Sequence, residues 1–111
     1  MKDARNALLN MLGIAARAGA VLPGTERVRD AARAEELHFV LVAADASDNS
    51  LDKLLPLLEK RGIHHAVVLD RATLGGAIGK APLSALGITE IKLASRVKEL
   101  TESLKDFRTE D

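Results

Sequence analysis

The chain of 111 residues contains no cysteine, tryptophan or tyrosine, and its only aromatic residues are Phe39 and Phe107. Without cysteine there is no disulfide framework, no thiolate nucleophile and no cysteine-based zinc site. With aromatics at 2% of the chain, reading single strands by stacking bases on aromatic rings has no support. No apolar run approaches the roughly 20 residues that cross a bilayer. The opening "MKDARNALLN" carries charges where a signal peptide has an apolar stretch. The expected address is the cytoplasm, with no membrane partner. An excess of one charge sign is missing too. Lys and Arg number 16, as do Asp and Glu, so the chain as a whole exerts no pull on nucleic acid or membrane.

What remains is a globular composition, 47% apolar and 29% charged. A single domain, residues 1–111, is expected. Charge is uneven along it. From Arg5 to Arg33, the five arginines Arg5, Arg17, Arg27, Arg29 and Arg33 stand against only Glu26 and Asp30. From Glu99 onward the acids outnumber Lys105 and Arg108.

Periodicity outlines the elements. Leu8, Met11, Leu12 and Ala15 stand at helical spacing, and Gly19 closes that helix near Ala18. "AVL" reads as a short extended piece before a Pro23-Gly24 turn. A second helix is predicted from Thr25 to Glu35, with Val28, Ala31 and Ala32 as its buried stripe. "HFVLVAA" reads as a strand buried on both faces. Leu51, Leu54, Leu55 and Leu58 give a third helix its core face, and Pro56 is expected to kink or split it near Leu54 and Leu55. "HAVVL" is a second buried strand. Asp70 is expected to cap a short helix, "RATLGGAI", closed by Gly79 and followed by Lys80. "PLSALGI" reads as a weaker strand, and a last helix runs through "LASRVKELTESLKDF" before fraying. Strands alternate with helices, which predicts an α/β fold, a three-layer α/β/α sandwich with a mixed four-stranded sheet.

Catalytic and metal chemistry find little to stand on. His64 and His65 are adjacent and point to opposite faces of a strand, and His38 has no second ligand at a chelating spacing. Asp45 and Ser47 follow a central strand, where ligands often bind, but Asp45, Ser47 or Asp48 is read first as a cap of the third helix. "GGAIGK" is one residue short of a phosphate loop. Ala81 stands where magnesium needs a hydroxyl, and the segment ends a helix instead of starting one. No acid–base pair or nucleophile constellation is present, so the chain is expected not to be an enzyme and to need no cofactor.

"LPGTERVRD" is the most suggestive stretch. Gly24 permits close approach, and the free amides of Thr25, Glu26 and Arg27 face outward at a helix's positive end, with Arg17, Arg27, Arg29 and Arg33 nearby. A plainer reading stands beside it: Thr25 is an N-cap worth about 1 kcal/mol, with Glu26 complementing the dipole. Both readings are open on the residues alone.

The order of pieces carries further information. "LLNMLGIAARAGAVLPGTERVRDAARA", "FVLVAADAS" and "DRATLGGAIGK" together resemble the ribosomal L7Ae/L30e family, above all its small bacterial YlxQ-type members. The matching positions are Leu12, Gly13, Ala15, Arg17, Ala18, Gly19, Gly24, Asp45, Ala46, Ser47, Leu74, Gly75, Gly79 and Lys80, and "LASRVKEL" resembles the family's last helix. The resemblance spans Leu8 to Leu100. It implies a partner of structured RNA, kink-turn-like or ribosomal, and a link to the ribosome or translation. It implies that Gly24, Thr25 and Glu26 present backbone amides, that Arg17, Arg27, Arg29 and Arg33 take phosphates or base edges, and that Gly75, Gly79 and Lys80 frame the site. The chain departs from the G-T-N-E-x-x-K of kink-turn binders at Glu26, Arg27 and Asp30, and Ala20 replaces a common Lys. A protein-interaction module on the same fold, without kink-turn recognition, is the alternative.

Overall fold

The computed structural model describes residues 2–109, with side-chain surroundings for residues 4–104. In chain order the elements are α1 (Lys2–Arg17), β1 (Val21–Pro23), α2 (Thr25–Arg33), β2 (Phe39–Val42), α3 (Asp48–Lys60), β3 (His65–Val67), α4 (Arg71–Ala77), β4 (Ala85–Ile88) and α5 (Ile91–Thr109). The strands form one mixed sheet in the order β1-β4-β2-β3. β4 is antiparallel to both β1 and β2, while β2 and β3 are parallel. Helices α1, α4 and α5 cover one face, and α2 and α3 cover the other. This is the three-layer sandwich that the alternation of elements predicts. The end of the last helix, where fraying is expected, lies partly outside the described residues.

The two-residue period of a strand divides the core. Phe39 and Leu41 of β2 enter the cluster with Leu8, Leu12, Leu74 and Val97. Val40 and Val42 enter the opposite cluster with Val28, Ala32, Leu54 and Leu58. Full burial of each large aliphatic side chain is worth about 1.5–3 kcal/mol relative to exposure.

Three expectations are corrected. β4 is not a weak strand but a central one, with all four of its residues buried. Pro82 falls in the connection before it, and Gly87 is there for space. A Cβ on Gly87 would stand 2.5 Å from Leu37 Cδ2 and 3.5 Å from Val28 Cγ2, so the missing side chain lets α2 and its exit loop close on the sheet. β3 is an edge strand paired only with β2, and Val67 is 43% exposed. Pro56 does not split α3, which runs unbroken from Asp48 to Lys60. Pro56 and Asp52 both lie on its exposed side, where water satisfies the carbonyl that the proline leaves without a donor.

The helix starts are fixed by side chains. Ser47 accepts from the Ser50 amide at 3.1 Å and opens α3. Asp45, expected among the caps of α3, reaches forward to α4 instead and accepts from the Arg71 amide at 2.8 Å. Asp70 accepts from the Thr73 amide at 2.7 Å, and Glu90 from the Leu93 amide at 2.8 Å. The Thr73 N–H holds the Asp70 carboxyl below its usual range, helped by the Thr73 hydroxyl. The amides of Leu93 and Lys92 do the same for Glu90.

At its far end α4 stops on Gly79, whose φ of 72° suits glycine. The amides of Gly79 and Lys80 bond back to the carbonyls of Gly76 at 3.1 Å and Gly75 at 2.9 Å. The chain then folds back along α4, with the Leu83 amide on the Arg71 carbonyl at 3.1 Å. Gly75 is buried beneath this return. A Cβ there would stand 2.0 Å from the Ala81 carbonyl oxygen and 2.7 Å from its carbon.

Gly75→Ala therefore forces backbone apart and is expected to cost about 3 kcal/mol or more, read as a lower denaturation midpoint. A midpoint within error of the parent would show that the return segment does not rest on α4. The two depressed carboxyls set an acid limb. Their contribution is complete above the ordinary carboxylate value of about 4 and is lost as pH falls through the lower folded values. Between neutral pH and about pH 3 the melting temperature of the parent should fall further than that of Asp70→Asn/Glu90→Gln. Parallel curves would show that the caps carry no charge-dependent stability.

Candidate functional site

β1 carries the chain from the end of α1 up the edge of β4. Its ladder continues one residue beyond the strand, with the Gly24 amide on the Ala85 carbonyl at 2.9 Å. Pro23 pairs with Leu86 at a position where an edge strand's N–H faces away from its neighbour, so its missing donor costs nothing. Gly24 then turns the chain into α2 with φ 103° and ψ 152°, a conformation that residues with a Cβ essentially do not adopt.

Gly24, not Thr25, is the N-cap of α2, and no side chain caps the helix. This corrects the plainer sequence reading, which gave Thr25 that role. The Gly24 carbonyl takes the Val28 amide at 3.0 Å, leaving the amides of Thr25, Glu26 and Arg27 at an open positive helix end. Ser47, Asp70 with Asp45, and Glu90 close the starts of α3, α4 and α5. Among these described helices α2 alone starts without a side-chain acceptor.

The side chains around this opening are partly engaged with each other. The Glu26 carboxylate lies 3.1 Å from Arg29 Nη1 and 3.6 Å from Lys53 Nζ of α3. Two cations thus hold the anion to the side of the helix end. Arg29 is half-buried, and its Nε is buried without a hydrogen-bond partner. Arg27 is exposed and, among the described residues, makes no ion pair. It lines a shallow depression beside Leu22, Asp30 and Glu36. Lys53 was not singled out from sequence. Its approach to Glu26 depends on how α2 and α3 pack across the sheet, which no spacing within one helix reveals.

The remaining candidate residues divide. Ser84 and Ala85 join the α4 return to the site: the Ser84 carbonyl takes the Ala43 amide, and the Ala85 carbonyl takes that of Gly24, both at 2.9 Å. Gly79 and Lys80 lie at the other end of that return, and Gly75 is buried under it, so Gly75 supports the frame without facing a ligand. Arg17 also sits toward α4. One of its guanidinium nitrogens and the Ala77 carbonyl each lie 3.4 Å from where a Cβ on Gly13 would be. Arg33 is the clearest misplacement. It stands in the last turn of α2, roughly 12 Å along the axis from Thr25, and pairs with Asp30 at 3.6 Å. The structure therefore brings together Gly24, Thr25, Glu26, Arg27 and Arg29, adds Lys53, and leaves Arg33 at the opposite end.

Residues 6–98 match the model of the ribosomal protein L7Ae/L30e/S12e/Gadd45 family. The RNA-binding protein YlxQ of Enterococcus faecium is 32% identical over 98 residues, covering 88% of this chain and 94% of that protein. The RNA-binding protein YlxQ of Bacillus subtilis is 29% identical over 92 residues, covering 83% and 92%. A Bacillus halodurans protein of unknown function superposes with a TM-score of 0.82 at 32% identity, over 86% of this chain and 96% of that one. The Giardia lamblia 15.5kD RNA binding protein shares the fold, with a TM-score of 0.75 at 21% identity over 94% and 89%. The family and its named relatives are described as ribosomal or RNA-binding proteins and not as enzymes. By the extent of the family match and by its nearly full-length relatives, this chain belongs to the ribosomal protein L7Ae/L30e/S12e/Gadd45 family.

Proposed function

We propose that the chain is an RNA-binding protein that grips structured RNA, kink-turn-like or ribosomal, at the opening of α2, in a role linked to the ribosome or translation. The observation that carries this reading is the uncapped helix start on Gly24, bordered by Arg27, Arg29 and Lys53. Exposed amides at a positive helix end suit phosphate oxygens, and Gly24 offers no side chain to keep a phosphate away. Family membership and the names of the YlxQ relatives support the same class of ligand.

The side chains define how this contact differs from the G-T-N-E-x-x-K pattern. Glu26 supplies no amide donor, but Arg29 and Lys53 hold its charge aside. Arg27, which makes no ion pair among the described residues, can clamp phosphate or guanine through paired hydrogen bonds. Asp30 is matched by Arg33. Recognition then rests on the main chain of residues 24–27 and on Arg27 and Lys53.

Gel-shift titrations against a kink-turn hairpin, a plain duplex and total ribosomal RNA test the proposal. Micromolar or tighter, salt-sensitive binding to the hairpin or ribosomal RNA, above that to the duplex, is expected. Arg27→Ala and Lys53→Ala should each weaken it by about tenfold and lower the salt slope by roughly one. Failure to bind any of the three at micromolar protein would overturn the proposal and point to a protein partner recovered after nuclease treatment. Gly24→Ala should destabilise the fold by about 1–3 kcal/mol through its backbone strain. In conditions where that variant stays folded by circular dichroism, its hairpin affinity should also fall. Undiminished affinity would place the contact elsewhere.

A further inference from the structure

At the end of α2 and α3 remote from Gly24, the fold leaves a depression of about 800 Å³ between the helices and the sheet. Its floor is apolar, made by the half-buried Leu37, Leu57 and Ile63. Arg33, Lys60 and Arg61 supply full positive charges around it, and Glu35 is the one acid in the lining. The exposed His38 and His64, which precede the parallel strands β2 and β3, complete it. In a chain of zero net charge this is a local excess of cations.

Complementing helix ends explains only part of that excess. Arg33 and Lys60 do stand in the last turns of α2 and α3, where cations oppose the dipole. Arg61 gives one N–H to the Arg33 carbonyl at 3.4 Å, which ties the two helix ends together and leaves its other donors for a ligand. Among the described residues neither Lys60 nor Arg61 has a carboxylate partner, whereas Arg33 shares its charge with Asp30. The apolar floor is the rim of the core between α2 and α3, where Leu37, Leu57 and Ile63 pack against the cluster of Val28, Ala32, Leu54 and Leu58. Neither that packing nor the helix dipoles give a reason for the two imidazoles beside it.

We infer that this depression is a second RNA contact, which takes an unpaired nucleotide with its base over the apolar floor and its phosphate on Lys60 and Arg61. The inference rests on the reading that the chain binds RNA. The volume lies within the roughly 300–1,000 Å³ of small-ligand sites. In a chain so poor in aromatics, imidazole and guanidinium planes are the flat surfaces left for a base. An acidic peptide would use the cations but would leave the imidazoles and the apolar floor without a role. α2 itself spans the gap, its nine residues rising about 13 Å. Two such contacts on one RNA reinforce each other through effective concentration, without any new bond. Arg33, misplaced for the first contact, belongs beside the second.

The test is chemical-shift mapping of the ¹⁵N-labelled protein with two probes, single-stranded hexauridylate and a kink-turn hairpin without unpaired ends. Hexauridylate should move the amides of Leu37, His38 and residues 60–64, while the hairpin should move residues 24–27. Lys60→Gln/His64→Ala should weaken hexauridylate by about tenfold or more and leave the hairpin within about twofold. Glu35→Gly provides a variant that does not threaten the fold. It removes the lining anion and puts glycine where Glu35 holds φ 60°, so hexauridylate should tighten by about threefold while the melting temperature rises. Hexauridylate shifts confined to residues 24–27, or none while the hairpin still binds, would overturn the second contact and leave the first standing. Silence from both probes would overturn the second contact and remove the kink-turn form of the first reading, leaving its ribosomal form to the ribosomal RNA titration. Displacement of the hexamer by polyglutamate at equal charge would also overturn the inference.

Discussion

The pairing of β4 with both of its neighbours is the constraint on which the other parts depend. Its four residues run antiparallel to β1 on one side and to β2 on the other, and bonds just beyond the strand extend both ladders to Gly24 and Ala43. Leu86 and Ile88 lie in one core cluster and Ala85 in the other, so the strand binds the layers across the sheet as well as along it. Gly87 lets Leu37 and Val28 press onto this central strand. The direction in which α2 leaves the sheet, and hence where its uncapped start faces, follows from that register. The return along α4 delivers the strand to its place, so the burial of Gly75 belongs to the same arrangement.

Electrostatics act on a smaller scale. The net charge is zero, yet the charges are not evenly used. Glu26 is shared by two cations from different helices, and Asp45 closes a helix that begins 26 residues later while its other oxygen lies 3.6 Å from Arg71 Nε. These are exposed pairs, each worth about 1 kcal/mol or less. They matter less for stability than for where they leave charge unspent: on Arg27 at one end of α2, and on Lys60 and Arg61 at the other.

Local pattern made much of this legible. The stripe Val28, Ala31 and Ala32 is buried as its spacing predicts, as are Leu8, Leu12 and Ala15 in α1, Leu54 and Leu58 in α3, and the whole of β2. Gly79 ends α4 where its left-handed preference places a stop. What eluded the sequence depends on partners distant along the chain. β4 reads as weak because the neighbours that explain Pro82 and Gly87 lie far along the chain: Leu37 and Val28 close over Gly87. Pro56 reads as a break because its ring and missing donor weigh against a helix wherever water does not reach the freed carbonyl, and here the proline lies on the exposed side of α3. Arg33 looked like part of the first cluster because nearness along the chain stood in for nearness in space, whereas Lys53 is close only after α2 and α3 pack. The ends of helices are legible, and Asp70 caps α4 as its place in the chain predicts; the second acid at that helix start is not, since Asp45 serves an element that the chain has not yet reached.

The opening of α2 on a bare glycine has a consequence for how such a surface changes over generations. Main-chain N–H groups are the same under every side chain but proline, so any other substitution at positions 26, 27 or 30 alters the decoration of this helix end without erasing its donors. A change at Gly24, where φ is 103°, endangers the arrangement of the donors themselves. The surface therefore separates a chemical grammar written in backbone from a vocabulary of side chains that tune it. Glu26, Arg27 and Asp30 lie wholly in the vocabulary.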